Sequence, residues 1–345
     1  MDNNIQQASM ITGAIQKRID SNLLRLSDGS AAAEYTGACR LFNGFTEGDK
    51  SLAIDLFGST VVIHDYGTKL SVKSLTDMLR QELPFIRAVL WKKRNGSNKN
   101  GILLHGGQDD LCSQICEHGV NYAIDLTLNQ DCGFYSDTRH LRRYLLENAA
   151  GKTVLNTFAY TGSLGVAAFA GSGEHVVQTD LSDRFLALAD RSYPLNSVGN
   201  AGTDERGTVE HVAGDFFPVT AAMRKAQREF DIVILDPPYF AETSKGTVDL
   251  VRNPLGVIRK VRPLVSDGGI LIAVNNALRL SGRDFLTAVD SVCDGHYLCR
   301  EQIIEIPDDF TGYNTADDVW QISPYPFNHP TKIVVLRCRR KNKSF

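Results

Sequence analysis

The chain has 345 residues, 43% of them hydrophobic, enough for one large domain beside a smaller one. A formal net charge of −3 excludes the overall basic field that advertises a nucleic-acid partner, and leaves such a role to local patches. Seven scattered cysteines at no framework spacing argue against a disulfide scaffold and for reduced thiols in a cytoplasmic setting.

Residues 1–36 are polar and Ala-rich and read as a helical and loop extension. Their opening, MDNNIQQASMITGAIQKRID, has no cationic segment ahead of an apolar core. No apolar run is long enough to span a bilayer, so a soluble protein without a membrane partner is expected. Residues 37–136 turn β-rich. SLAIDLFGSTVVIHDYG reads as two strands joined at Gly58-Ser59, SVKSLTDMLRQEL has helical period, and FIRAVLWKKR resumes extended character. A hairpin-like segment is expected in VNYAIDLTLNQDCGFYSDTRH, before a helix over Leu141–Asn148. Cys112, Cys116 and His118 lie close in sequence, but no second ligand pair answers them and no metal is expected.

At Gly151 the texture changes, and residues 137–345 read as the second domain. KTVLNTF, EHVVQTD, TVEHVAGD, FDIVILD, GILIAVN and TKIVVLRC are strands, alternating at first with helices such as SLGVAAFAG and SDRFLALADRSYPLN, the latter opened by Ser182. That alternation predicts an α/β fold with a parallel, doubly wound sheet. The tail RCRRKNKSF reads as a solvated end.

Ligands of such sheets sit outside the carboxyl ends of the strands. Here those ends carry Asn156–Gly162, Asp180, Asp215-Phe216, Asp236-Pro237-Pro238-Tyr239-Phe240 and Asn275-Asn276. Three of the first four strands end near a carboxylate, which would repel a diphosphate. The first turn also lacks the G-x-G-x-x-G of dinucleotide sites. Carboxylates suit a ribose diol, so a nucleoside without phosphates, even a cationic one, fits the row.

S-adenosylmethionine meets that description. VLNTFAYTGSLGVAAFAGSGEHVVQTDLS, AGDFF and FDIVILDPPYF resemble class I S-adenosylmethionine-dependent methyltransferases. Within that class the N-x-F-x-Y-T-G turn is similar to that of bacterial 23S rRNA methyltransferases acting on cytosine C5 or guanine N7. RLFNGFTEGDKSLAIDLFGSTVVIHDY and CGFYSDTRHLRRYL resemble the β-rich subdomain and the segment before the Rossmann-like domain of those enzymes. The likeness covers roughly residues 40–340, and the PUA domain of the cytosine enzymes has no room within residues 1–36.

The resemblance implies that Asn156, Thr157, Phe158, Tyr160, Thr161 and Gly162 surround the methionine moiety. It places Asp180 and Leu181 at the ribose and Asp215 and Phe216 at the adenine. Asp137 and Arg139 match the motif ahead of the domain, which places both at the pocket mouth. The prolines of D-P-P-Y remove two backbone donors, so Asp236 and the carbonyls beside Pro237 and Pro238 can accept hydrogens from the amino edge of a base. Tyr239 or Phe240 can stack on its face. Asn275 and Asn276 follow the fifth strand, where the cytosine enzymes carry their nucleophilic cysteine. This favours a base nitrogen such as guanine N7, with ribosomal RNA as partner and a homodimer as an allowed assembly. Tyr239 departs from the guanine-N7 enzymes and leaves the base open. A protein amide or small-molecule substrate, or a non-catalytic RNA-binding role, are the alternatives. The expected RNA patch is Lys92, Lys93, Arg94 and Lys99 with Arg139, Arg142 and Arg143.

Overall fold

The computed structural model describes residues 2–24, 35–69, 71–196, 207–293, 297–313 and 322–339. It divides into two units, Met1–Asp137 with Pro307–Val319, and Thr138–Ile306 with Trp320–Phe345.

In the smaller unit the β-branched runs form one five-stranded sheet. Its strands are β1 (Ala38–Asn43), β2 (Leu52–Phe57), β3 (Thr60–Asp65), β4 (Ala88–Lys93) and β5 (Ile102–His105), in that spatial order. The β3–β4 pair is parallel because the helix Val72–Glu82 crosses between them, and the other pairs are antiparallel. Every residue of β2 and β3 is buried. The helix Asp2–Asp20 contributes Ile11, Ala14 and Ile15 to the core of this unit.

The expected hairpin is displaced. Its strands are β6 (Gln114–Glu117) and β7 (Val120–Ala123), so the partner of Val120–Ala123 lies before it rather than after. The reason is local: His118 and Gly119 both adopt positive φ, 52° and 78°, which suits a two-residue turn. Downstream, Asp125 Oδ1 accepts from the amide and hydroxyl of Thr127 and closes a turn instead of a strand.

The larger unit contains β8 (Thr153–Thr157), β9 (His175–Asp180), β10 (Thr208–Ala213), β11 (Phe230–Leu235), β12 (Phe240–Thr243), β13 (Gly246–Asp249), β14 (Val265–Asn275), β15 (Leu298–Ile304) and β16 (Lys332–Cys338). Seven of them form a sheet ordered β10-β9-β8-β11-β14-β16-β15. Its first five strands are parallel, and β16 runs antiparallel to both neighbours. This is the mostly parallel, doubly wound sheet that the alternation predicts.

Two elements go beyond the expected set. β15 occupies the sheet edge, where Arg300, Glu301 and Gln302 are exposed and hide its period. β12 and β13 form a hairpin straight after the D-P-P-Y corner. The basic tail is no solvated end at its start: Cys338 is buried in β16 and Arg337 pairs with Glu301 at 2.7 Å, while residues 340–345 lie outside the described residues. The core of this unit runs along the sheet through Leu155, Val233, Leu271 and Val334. Strand order reverses between β8 and β11, the position at whose carboxyl ends such sheets bind ligands.

Candidate active site

The turn after β8 is tightly held. Asn156 is buried, and its Nδ2 donates to Gln178 Oε1 of β9 at 2.9 Å. Its Oδ1 has no hydrogen-bond partner among the described residues. Thr157 donates its hydroxyl to the Ile234 carbonyl of β11 at 2.8 Å and so ties the two central strands together. Phe158 and Tyr160 take left-handed φ of 55° and 51°, uncommon for aromatic residues. The cost, about 1 kcal/mol or more each, marks the turn as shaped for more than chain reversal. Gly162, with φ of 77°, opens the helix Ser163–Ala170, and a Cβ there would stand 2.4 Å from that of Ala189. Thr161 is buried beside it.

Asp180 ends β9 and points back into the turn. Its Oδ2 accepts from Tyr160 N at 2.8 Å and its Oδ1 from Ser182 N at 2.9 Å. Each carboxylate oxygen carries two lone pairs, so both retain room for a hydroxyl donor. Leu181, next in sequence, is 69% exposed. Asp215 caps the helix Phe216–Lys225 by accepting from Phe217 N at 2.9 Å. Phe216 is buried and stacks on Phe158 with ring centroids 4.6 Å apart and planes 26° from parallel. The turn after β8 and the carboxylates after β9 and β10 therefore meet at one edge.

The D-P-P-Y corner follows β11 at that edge. Pro237 is buried, Asp236 half-buried, and Pro238, Tyr239 and Phe240 are exposed. The Tyr239 carbonyl accepts from Leu250 N at 3.0 Å, so the β12–β13 hairpin closes directly on the corner. Leu250 O in turn accepts from Asn275 Nδ2 at 3.3 Å, and Asn275 Oδ1 accepts from Ala277 N at 3.0 Å. Asn275 is thus turned inward as a staple, while the buried Oδ1 of Asn276 has no partner among the described residues.

Two supporting residues escape the strand-end reading. Gln178 is wholly buried, holding Asn156 on one side and donating to the Tyr193 hydroxyl at 2.5 Å on the other. Burial pushes the Tyr193 phenol well above its ordinary range. The signal was a lone amide inside the apolar strand VVQT. Lys332 is also wholly buried, pairs with Asn275 across β16 and β14, and donates to the carbonyls of Ala277 and Pro330. Burial pulls its ammonium down to about 8. Only its position at the start of an apolar strand hinted at this.

Most side chains of the expected RNA patch are engaged within the protein. Lys92 is buried and donates to the carbonyls of Lys99 and Asn129, and Arg94 is bound to the Gln130 carbonyl and to Asp131. In the larger unit Arg139 and Arg142 are buried, the latter donating to Thr138 Oγ1 at 2.8 Å, and Arg143 pairs with Glu147. Lys93 and Lys99 remain exposed. Asp137 closes the smaller unit. Among the described residues no group of three His, Cys, Asp or Glu could hold a metal, and no helix is long and apolar enough to cross a membrane.

Comparison with known proteins decides the family, since the model of S-adenosylmethionine-dependent methyltransferases matches residues 87–319. The chain belongs to that family. It is an enzyme that uses S-adenosylmethionine, and the partnerless Asn156 Oδ1 and unsaturated Asp180 fit a bound nucleoside with an amino-acid tail. A candidate ribosomal RNA large subunit methyltransferase of Bacillus subtilis is 28% identical over 314 residues, covering 88% of this chain and 76% of that protein. Ribosomal RNA large subunit methyltransferase I of Aeromonas salmonicida and methyltransferase K/L of Dichelobacter nodosus are each 28% identical. They match over 68% and 79% of this chain, which spans 59% and 37% of their lengths. A candidate methyltransferase crystallised with S-adenosylhomocysteine superposes with a TM-score of 0.77 at 25% identity, over 96% of this chain and 81% of that one. A Streptococcus mutans structure at 24% identity shares the fold, with a TM-score of 0.76.

Proposed function

We propose that this methyltransferase modifies a nitrogen of a base in large-subunit ribosomal RNA, guanine N7 or a similar atom. The observation that carries the reading is the corner Asp236–Phe240, which combines a half-buried carboxylate, two donor-free prolines and two exposed aromatic rings at the cofactor edge. The names of the relatives support RNA as the substrate. Bound S-adenosylmethionine supplies an electrophilic methyl on a sulfonium. The Asn156–Gly162 turn holds its methionine part, Asp180 and Leu181 its ribose, and Asp215 and Phe216 its adenine.

Asp236 and the adjoining carbonyls accept hydrogens from the base's amino edge while Tyr239 or Phe240 stacks on its face. Asn276 and Arg139 complete the substrate side, and Asn275 sets the loop that presents Asn276. Guanine N7 has a lone pair and no proton, so orientation suffices and no general base is needed. A cytosine-C5 reaction would need a thiolate. The cysteines of the larger unit are Cys293, Cys299 and Cys338; Cys299 and Cys338 lie at the sheet edge opposite the carboxyl ends of the parallel strands, and Cys293 ends a helix. Incubation with methyl-labelled S-adenosylmethionine and either ribosomal RNA or protein extract tests the reading. Label in RNA is expected, and label confined to protein would refute it.

A further inference from the structure

Among the described residues, the exposed large apolar side chains of the larger unit are not scattered. They are Leu181, Tyr239, Phe240, Val251, Leu278 and Tyr325. Leu181 follows β9, Tyr239 and Phe240 follow β11, Leu278 follows β14, and Val251 follows the hairpin that closes on Tyr239. Tyr325 precedes β16, whose antiparallel course starts it at the same edge. All six lie on the cofactor edge of one sheet.

Hydrogen bonds fasten this rim together. Leu250 links Tyr239 to Asn275, and Gly282 N donates to Ser323 O at 3.1 Å. A Cβ on Gly282 would stand 1.8 Å from the Pro324 carbonyl, so the segment bearing Tyr325 lies flush on the start of the helix Gly282–Cys293. Arg283 extends over the Tyr325 ring, 5.2 Å from its centroid. Arg252 and Asp284 line one cavity of about 410 Å³, which joins the end of the hairpin to that helix.

Cations alternate with the rings: Lys245 at the hairpin tip, Arg252, Arg279 and Arg283 are all exposed. The rim also holds acids, but two of them face their own backbone or cap. Asp249 accepts from Val251 N and Arg252 N and lies 3.9 Å from Arg252 Nε, and Asp284 accepts from Ser281 Oγ; Asp284 and Glu242 are both exposed. Exposed aromatic and aliphatic faces cost free energy unless something covers them. A rim of flat faces interleaved with cations suits a strand whose bases stack and whose phosphates pair, and suits a duplex with its bases hidden far less.

We propose that this rim grips the single-stranded nucleotides flanking the target base, with Leu278 and Tyr325 as stacking faces and Arg279 and Arg283 as phosphate contacts. The inference rests on the RNA reading above and goes beyond it, naming the strandedness of the substrate and the residues that hold it.

The test is fluorescence anisotropy of the full-length protein, saturated with S-adenosylhomocysteine, on labelled oligouridylate of about 15 nucleotides and on a duplex of equal length. The single strand should bind more tightly. Arg279→Glu with Arg283→Glu should weaken it tenfold or more and flatten the log–log salt slope by roughly 1.4, about 0.7 per lost contact. Leu278→Ala with Tyr325→Ala should weaken it severalfold at unchanged slope. S-adenosylhomocysteine affinity by calorimetry should stay constant in both variants. Wild-type affinity for the strand in both double variants would overturn the rim while leaving the RNA reading intact. Tight cofactor binding by a protein that binds neither RNA, with methyl label going to protein, would overturn both.

Discussion

The two units each gather charged groups at low exposure, and the contrast between them shows what makes a site. In the smaller unit Arg40 clasps Asp55 through two bonds of 2.7 and 3.0 Å, and His64 Nε2 lies 2.9 Å from the same carboxylate. Burial would raise the Asp55 carboxyl, but Arg40 and His64 outweigh it and hold the group well below the usual range. Burial keeps the His64 imidazole below its ordinary value despite that carboxylate. Arg18 and Glu47 form a second closed pair, with Arg18 also donating to the Asp309 carbonyl at 2.7 Å. In both clusters the carboxylate is met by cationic or imidazole side chains, although His64 Nδ1 and Asn43 Oδ1 have no hydrogen-bond partner among the described residues.

Along the sheet edge of the larger unit, Asp180 and Asp215 accept only backbone hydrogens, and Asn156 and Asn276 keep partnerless buried oxygens among the described residues. Carboxylates met by backbone donors alone, against carboxylates met by cationic and imidazole side chains, separate the edge of the larger unit from the structural clusters.

That difference can be broken from either side. The largest effect is expected in the smaller unit: Asp55→Ala strips the half-buried Arg40 and the buried His64 of their shared carboxylate and should cost about 3–5 kcal/mol of stability. Urea unfolding would measure it, and the native fraction should bind S-adenosylmethionine as before. Asp236→Ala should leave the fold and cofactor affinity intact yet lower single-turnover methyl transfer by about 10²–10³-fold, as loss of an oriented polar contact does. Asp180→Ala should weaken S-adenosylmethionine binding by about 1–3 kcal/mol in calorimetry, the cost of unpaired polar groups. Unchanged affinity would remove Asp180 from the ribose.

The most gradual effect, per pH unit, concerns Lys332. Its folded value of about 8 lies below the ordinary 10.5, so the unfolded chain holds the extra proton between those values. Stability contributed by this group therefore rises with pH across that window, by up to about 1.4 kcal/mol per unit. Wild type minus Lys332→Met stability, measured from pH 7.5 upward, should climb. A flat difference would mean that the ammonium is solvated.

How much of this was legible in the sequence depended on whether a residue's partner was local. β8, β9, β11 and β14 are largely apolar runs that end at or beside a polar residue, and that pattern pointed to the proposed cofactor edge. Asp215 capping Phe217 is likewise a two-residue relation. β15 was hidden because an edge strand exposes three successive polar residues. The partners of Lys92, Asn129 and Lys99, are backbone carbonyls, one of them 37 residues away, and nothing in WKKR separates a buried lysine from a solvated one. Arg279, Arg283 and Tyr325 became one surface only when Gly282 brought the 323–325 segment against the helix start.

The central claim, that the open edge of the larger unit methylates a base nitrogen, is tested most directly by the nucleosides of ribosomal RNA treated with this protein and S-adenosylmethionine. Digestion and mass spectrometry should show a base methylated on nitrogen, 7-methylguanosine foremost, formed about 10²–10³-fold more slowly by Asp236→Ala. Accumulation of 5-methylcytidine, or of a covalent protein adduct on RNA containing 5-fluorocytosine, would contradict it.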